Sequence, residues 1–128
     1  MAELGIRGNV MGPQAIARAK PLPPVMIETA ERVLAMLKSA DAEGLAAIAT
    51  LTAVSQISPL AGAVGPGLYD RHEIIAVARL INHYYVKARL FSETADPFTV
   101  QFRLGEKDGV WLLWEAIGLT GRHADWQR

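Results

Sequence analysis

The chain has no cysteine, which excludes a disulfide framework and any thiolate metal site. Three histidines scattered over 128 residues are too few and too dispersed for the usual ligand spacing, so neither a bound metal nor a cofactor is expected. Charge of one sign is also missing. Thirteen basic and thirteen acidic side chains cancel, and nothing in the balance marks a nucleic-acid partner or a polybasic membrane surface. No apolar run approaches bilayer length, and MAELGIRGNVMG lacks the continuous apolar stretch of an export signal; a cytoplasmic protein without a membrane partner is expected. No Ser, His and Asp are spaced as a nucleophilic triad. No glycine-rich loop joins a strand to a helix as a phosphate cradle, and Gly65-Pro66-Gly67 reads as a turn.

What is present is the length and patterning of one domain, enough to bury roughly two thirds of the unfolded chain's surface. Residues 1–24 mix glycine, proline and isolated apolar positions and read as a loosely ordered arm, with a short helical possibility at 14–19. Residues 25–121 carry the domain, and 122–128 a tail. Pro23 and Pro24 open a helix in which Ile27, Ala30, Leu34 and Leu37 recur at helical spacing beside Val33, while Glu28, Glu31, Arg32 and Lys38 hold the wet side. Asp41 caps a short second helix.

From Leu51 to Leu68 the apolar run is broken by Pro59, Gly62, Gly65, Pro66 and Gly67. It suggests a short strand at 52–58 and then an irregular crossing. Asp70 and Glu73, spaced as a capping box, predict a third helix to about Asn82, with Ile74, Val77, Ala78 and Ile81 inward.

Residues 84–120 read as a three-stranded antiparallel meander. Tyr84, Val86, Ala88 and Leu90 alternate against Tyr85, Lys87, Arg89 and Phe91, and Phe98, Val100, Phe102 and Leu104 alternate against Thr99, Gln101 and Arg103. Pairing Leu104 with Val110 across GEKDG sets Phe102 opposite Leu112, Val100 opposite Trp114 and Phe98 opposite Ala116 on the core side. The other side then holds Arg89, Gln101, Arg103 and Glu115 with Trp111, Leu113, Ile117 and Leu119. A strand apolar on both faces needs cover on both, so this outer face is expected to form a homodimer interface, with Glu115 paired to Arg89 or Arg103. With the opposite parity, Glu115, Arg89, Gln101 and Thr99 would form an interior polar cluster suited to a hydrolase.

Three stretches, KSADAEGLAAI, LTAVSQISPLAGAVGPGLYDRHEI and FRLGEKDGVWLLWEAIG, resemble the NTF2-like (SnoaL-like) superfamily over residues 25–120. The resemblance implies an α+β fold with three helices packed on the concave face of a curved antiparallel sheet. It also implies a cone-shaped apolar cavity, carried here onto Val33, Gln56, Tyr84, Val86, Val100, Phe102, Trp114 and Ala116. The family's ketosteroid isomerases use a tyrosine, a protonated carboxylic acid and a carboxylate base. Those positions fall on Val33, Val100 and the acid-free LTAVSQIS, so that chemistry is not expected. The remaining ionisable candidates are Tyr69, Asp70, His72 and His83: His72 is placed near the positive end of the expected third helix, and His83 shares strand parity with outward Tyr85.

The functional reading is a small protein holding an apolar molecule. Its alternatives are a non-catalytic interaction module with a filled core, and an isomerase, cyclase or epoxide hydrolase of the family.

Overall fold

The computed structural model describes residues 9–11, as backbone, and 22–119. The expected helical stretch at 14–19 and the tail at 122–128 lie outside them. A short strand, β1 (Asn9–Met11), falls within the stretch expected as an arm. Three helices follow, α1 (Pro24–Lys38), α2 (Ala42–Ala47) and α3 (Leu51–Val64). Four long strands complete the order, β2 (Arg71–Leu80), β3 (His83–Phe91), β4 (Phe98–Lys107) and β5 (Val110–Leu119). All pairs are antiparallel in the open order β1-β2-β3-β4-β5, so the fold is α+β.

Helix α1 starts as the two prolines require, with Pro24 in its first turn where a missing N–H costs nothing. It ends in a Schellman motif: the Asp41 N–H donates to the Met36 carbonyl (2.8 Å) and the Ala40 N–H to that of Leu37 (3.1 Å). Ala40 takes the left-handed conformation this needs, φ 54°. One residue on, the Asp41 carboxylate accepts the Gly44 N–H at 2.9 Å and caps α2 as expected.

The helices bury one stripe each against one face of the sheet. Met26, Ala30, Val33, Leu34 and Leu37 of α1, Leu45 of α2 and Ile57, Leu60 and Val64 of α3 form a single cluster with Val77, Tyr84, Val86, Ala88, Leu90, Val100, Phe102, Leu104, Leu113 and Ala116. We call this the inner face.

Two expectations are overturned together. Residues 52–58 are not a strand but the first half of α3, and residues 70–82 are not a helix but β2. In α3 the buried positions Ala53, Ile57, Leu60, Ala61 and Val64 follow helical spacing, and the Thr50 hydroxyl accepts the Ala53 N–H at 3.3 Å as its N-cap. Pro59 sits inside this helix, where a proline usually ends one. In β2 a bulge inserts Ile75 between the Ile74–Ala88 and Ala76–Lys87 pairs. Ile74 and Val77, both inward, are thereby three residues apart. A bulged strand therefore imitates helical periodicity, and no helix exists for Asp70 and Glu73 to cap.

A second bulge corrects the register of the last hairpin. The turn is Asp108-Gly109, both at positive φ (54° and 82°), closing Lys107 against Val110 rather than Leu104 against Val110. Trp114 is the extra residue, between the Arg103–Glu115 and Leu104–Leu113 pairs. Parity therefore changes along β5. Ala116 faces inward as expected, but so do Leu113, fully buried, and Trp111, which packs on Tyr84 with ring centroids 6.0 Å apart. Leu112 lies opposite Gly105 on the outer face and Trp114 packs on outward His83, the reverse of their expected side.

The β2–β3 turn places Ile81 at φ 55°, a conformation costly for a β-branched residue, with 85% of the side chain exposed. Ile81→Gly should raise unfolding stability by about 1 kcal/mol, read as a higher urea midpoint at unchanged slope.

Candidate functional site

β5 is an edge of the sheet, and part of that edge is covered. The Thr50 N–H donates to the Leu113 carbonyl (2.9 Å) and the Leu113 N–H to the Ile48 carbonyl (2.8 Å), a parallel bridge made by the connection between α2 and α3. Further along, the Ala116 N–H donates to Gln56 Oε1 at 2.8 Å. That bond shows Ala116 directing its N–H away from β4. By antiparallel alternation the backbone groups of Gly118 face the same edge, which no described strand pairs.

Beside this free end lies a groove of about 330 Å³ between α3 and β5, lined by Ser55, Gln56, Pro59, Leu60, Ala63, Phe98, Ala116, Ile117 and Gly118. Its walls are mostly apolar. Gly118 leaves room for the Phe98 ring, which a Cβ there would meet at 2.9 Å. Gln56 contributes the polar group: with Oε1 engaged, its amide N–H groups form no hydrogen bond to the described residues.

The residues expected to line one cavity are distributed over four places. Gln56 and Ala116 border the groove. Tyr84 borders a separate, more polar recess of about 440 Å³ with Pro23, Ile81, Asn82, Glu106, Asp108 and Trp111. Val33, Val86, Val100 and Phe102 are fully buried in the packed core, and Trp114 is on the outer face.

The catalytic candidates are also apart. Tyr69 is buried, its hydroxyl donating to the Asp96 carbonyl at 3.3 Å and its ring edge-on to Phe98. Exposed Asp70 meets the neighbouring Arg71 Nε at 3.4 Å. His72 lies on the inner face of β2, not at a helix start. Its Nε2 shares a 2.7 Å bond with Glu31 Oε1 of α1, and its buried Nδ1 has no partner. Neither recess nor groove reaches it.

Of the expected dimer face, Arg89, Arg103, Glu115 and Ile117 do lie outward. On that face Ala76, Ala78, Lys87, Thr99 and Gln101 are buried. Arg103 and Glu115 are register partners but form no ion pair. Instead Arg103 Nη1 donates to the Tyr85 hydroxyl (3.2 Å), with the guanidinium carbon 5.7 Å from that ring's centroid, and Arg89 Nε donates to Thr99 Oγ1 at 3.4 Å.

His83 lies outward with Tyr85, as the strand alternation has it. It packs on Trp114 with ring centroids 4.9 Å apart, over Gly105, where a Cβ would meet the imidazole at 2.5 Å. Burial, and then the Arg103 cation, hold its pKa below the ordinary 6.5. The signal for it in the sequence is the lone glycine in an otherwise regular β4.

Among the described residues no cluster of three or more metal-ligating side chains occurs, and no helix is long and apolar enough to cross a membrane. No family model, curated protein or solved structure matches the chain.

The depressed pKa of His83 has a defined effect on stability. Between its native value and 6.5 the unfolded chain binds the extra proton and the native chain does not, so stability falls as pH falls through that window. Urea denaturation from neutral to mildly acid pH should show this loss, and His83→Gln should flatten it.

Proposed function

We propose that this chain is an NTF2-like protein that holds a small, mostly apolar molecule in the groove between α3 and β5. The groove itself carries the reading: about 330 Å³ with apolar walls and one amide group positioned by a backbone hydrogen bond. Apolar walls with few fixed polar groups are the usual make-up of a small-molecule site. The class assignment draws on three helices set on one face of an antiparallel meander and on the closing hairpin of β4 and β5. The entry to β2, where the resemblance implied a helix, lends it nothing. Val33 and Val100 are apolar and packed where a ketosteroid isomerase needs a tyrosine and an acid, which favours binding over proton transfer.

Ala63 is exposed on the groove wall, so Ala63→Trp should fill the site without disturbing the core. Binding of an apolar fluorescent probe, anilinonaphthalene sulfonate, should weaken by about tenfold or more in this variant. Ile27→Trp, on the exposed side of α1, should leave it unchanged. Equal binding by both variants and the parent chain would remove the groove as the site.

A second reading, a homodimer through the outer face, is favoured by Glu115, which has no ion-pair partner among the described residues and lies beside outward Arg103 and Ile117. Light scattering at micromolar concentration should then report twice the chain mass, and Glu115→Lys should shift it toward one. A monomer in the parent chain rejects this reading.

A further inference from the structure

The turn between β2 and β3 closes one side of a recess of about 290 Å³, distinct from the groove and lined by Leu80, Ile81, Asn82, His83, Tyr85 and Arg103. This lining holds one permanent cation and no carboxylate. Arg103 is incompletely satisfied: Nη1 is bonded to Tyr85, Nε is buried without a partner, and Glu115 across the strand pair does not reach it. A guanidinium binds best when its fork meets a planar pair of oxygens, and a buried donor left unmade is costly. The His83 ring is fixed beside it by Trp114 and the bare backbone of Gly105. On the opposite lip, Leu80 and Ile81 are 39% and 85% exposed, apolar surface that an inorganic ion would leave wet.

We propose that this recess binds a small amphipathic monocarboxylate, its head on the Arg103 guanidinium and the His83 imidazole and its hydrocarbon tail on Leu80 and Ile81. A carboxylate gives the Arg103 guanidinium a charged acceptor and offsets the unfavourable approach of a second positive charge to His83. The volume suits a short chain. Protonation of His83 then adds a second cation, so affinity rises as pH falls. Among the described residues, the charged and titratable groups on the outer face are Arg103 and Lys107 from β4, Glu115 from β5, Arg71 and Glu73 from β2, and Tyr85, Lys87 and Arg89 from its own strand; the turn residues Leu80, Ile81 and Asn82 are uncharged.

The test follows the His83 ring protons by NMR across pH in the full chain, assigned with His83→Gln, with and without millimolar sodium hexanoate. The midpoint should begin below 6.5 and rise by roughly half a pH unit or more with hexanoate. Arg103→Gln should raise the ligand-free midpoint and abolish the hexanoate response. Arg103→Lys keeps the charge but not the fork and should retain a weaker response, which decides the matter should the glutamine variant fail to fold. No rise in the parent chain, or an undiminished rise in either variant, overturns the proposal. An equal rise with inorganic phosphate at the same concentration overturns the amphipathic assignment, because it would show charge alone at work.

Discussion

The tie between β5 and the start of α3 governs the rest of the architecture. An open sheet must satisfy or hide the backbone groups of its last strand. Here the segment from Ile48 to Thr50 does so through both polar groups of Leu113, and Gln56 extends the cover to Ala116. Thr50 simultaneously caps α3, so a single residue sets where the helix begins and where it lies along the strand. The cover ends beyond Ala116. From there the helix and strand border the apolar groove.

Two bulges distribute the side chains between faces. Ile75 in β2 and Trp114 in β5 each add a residue opposite a regular strand, and each reverses the parity of the residues beyond it. Because of the second, Leu113 enters the core beside Leu104 while Trp114 turns outward onto His83. The interior fills with Val86, Val100, Phe102 and Leu113, all fully buried, where a cone-shaped cavity would have needed space. The described groove between α3 and β5 and the recesses beside the β2–β3 turn lie at the sheet's edge and ends.

Local chemistry made much of the chain readable. Pro23 and Pro24, Asp41 and the alternation in β3 and β4 specify their elements through first-turn geometry, side-chain capping and two-residue periodicity, none of which needs a distant partner. The exchange of helix and strand in the middle has an equally physical origin. Pro59 and Gly62 suggested a broken strand region, yet Ala53, Ile57, Leu60 and Val64 gain enough by packing on β5 and the core to sustain a helix around them. In β2 the spacing of Ile74 and Val77 resembles a helix face only because Ile75 between them is a bulge.

Gln56 and Ala116, which border the groove, were named through a family resemblance, and Arg103 was legible as an outward charge. The groove, the His83 recess and the hydrogen bond between His72 and Glu31 join residues far apart in the chain, at distances no local pattern encodes. The amino-acid sequence by itself determined a cysteine-free α+β chain, the first two helices and the last three strands. Only tertiary structure decided the register of β5, the helical state of α3 and the position of every recess. Bulges and edge contacts depend on which strand or helix arrives alongside, and a one-residue slip in pairing moves every side chain beyond it to the opposite face.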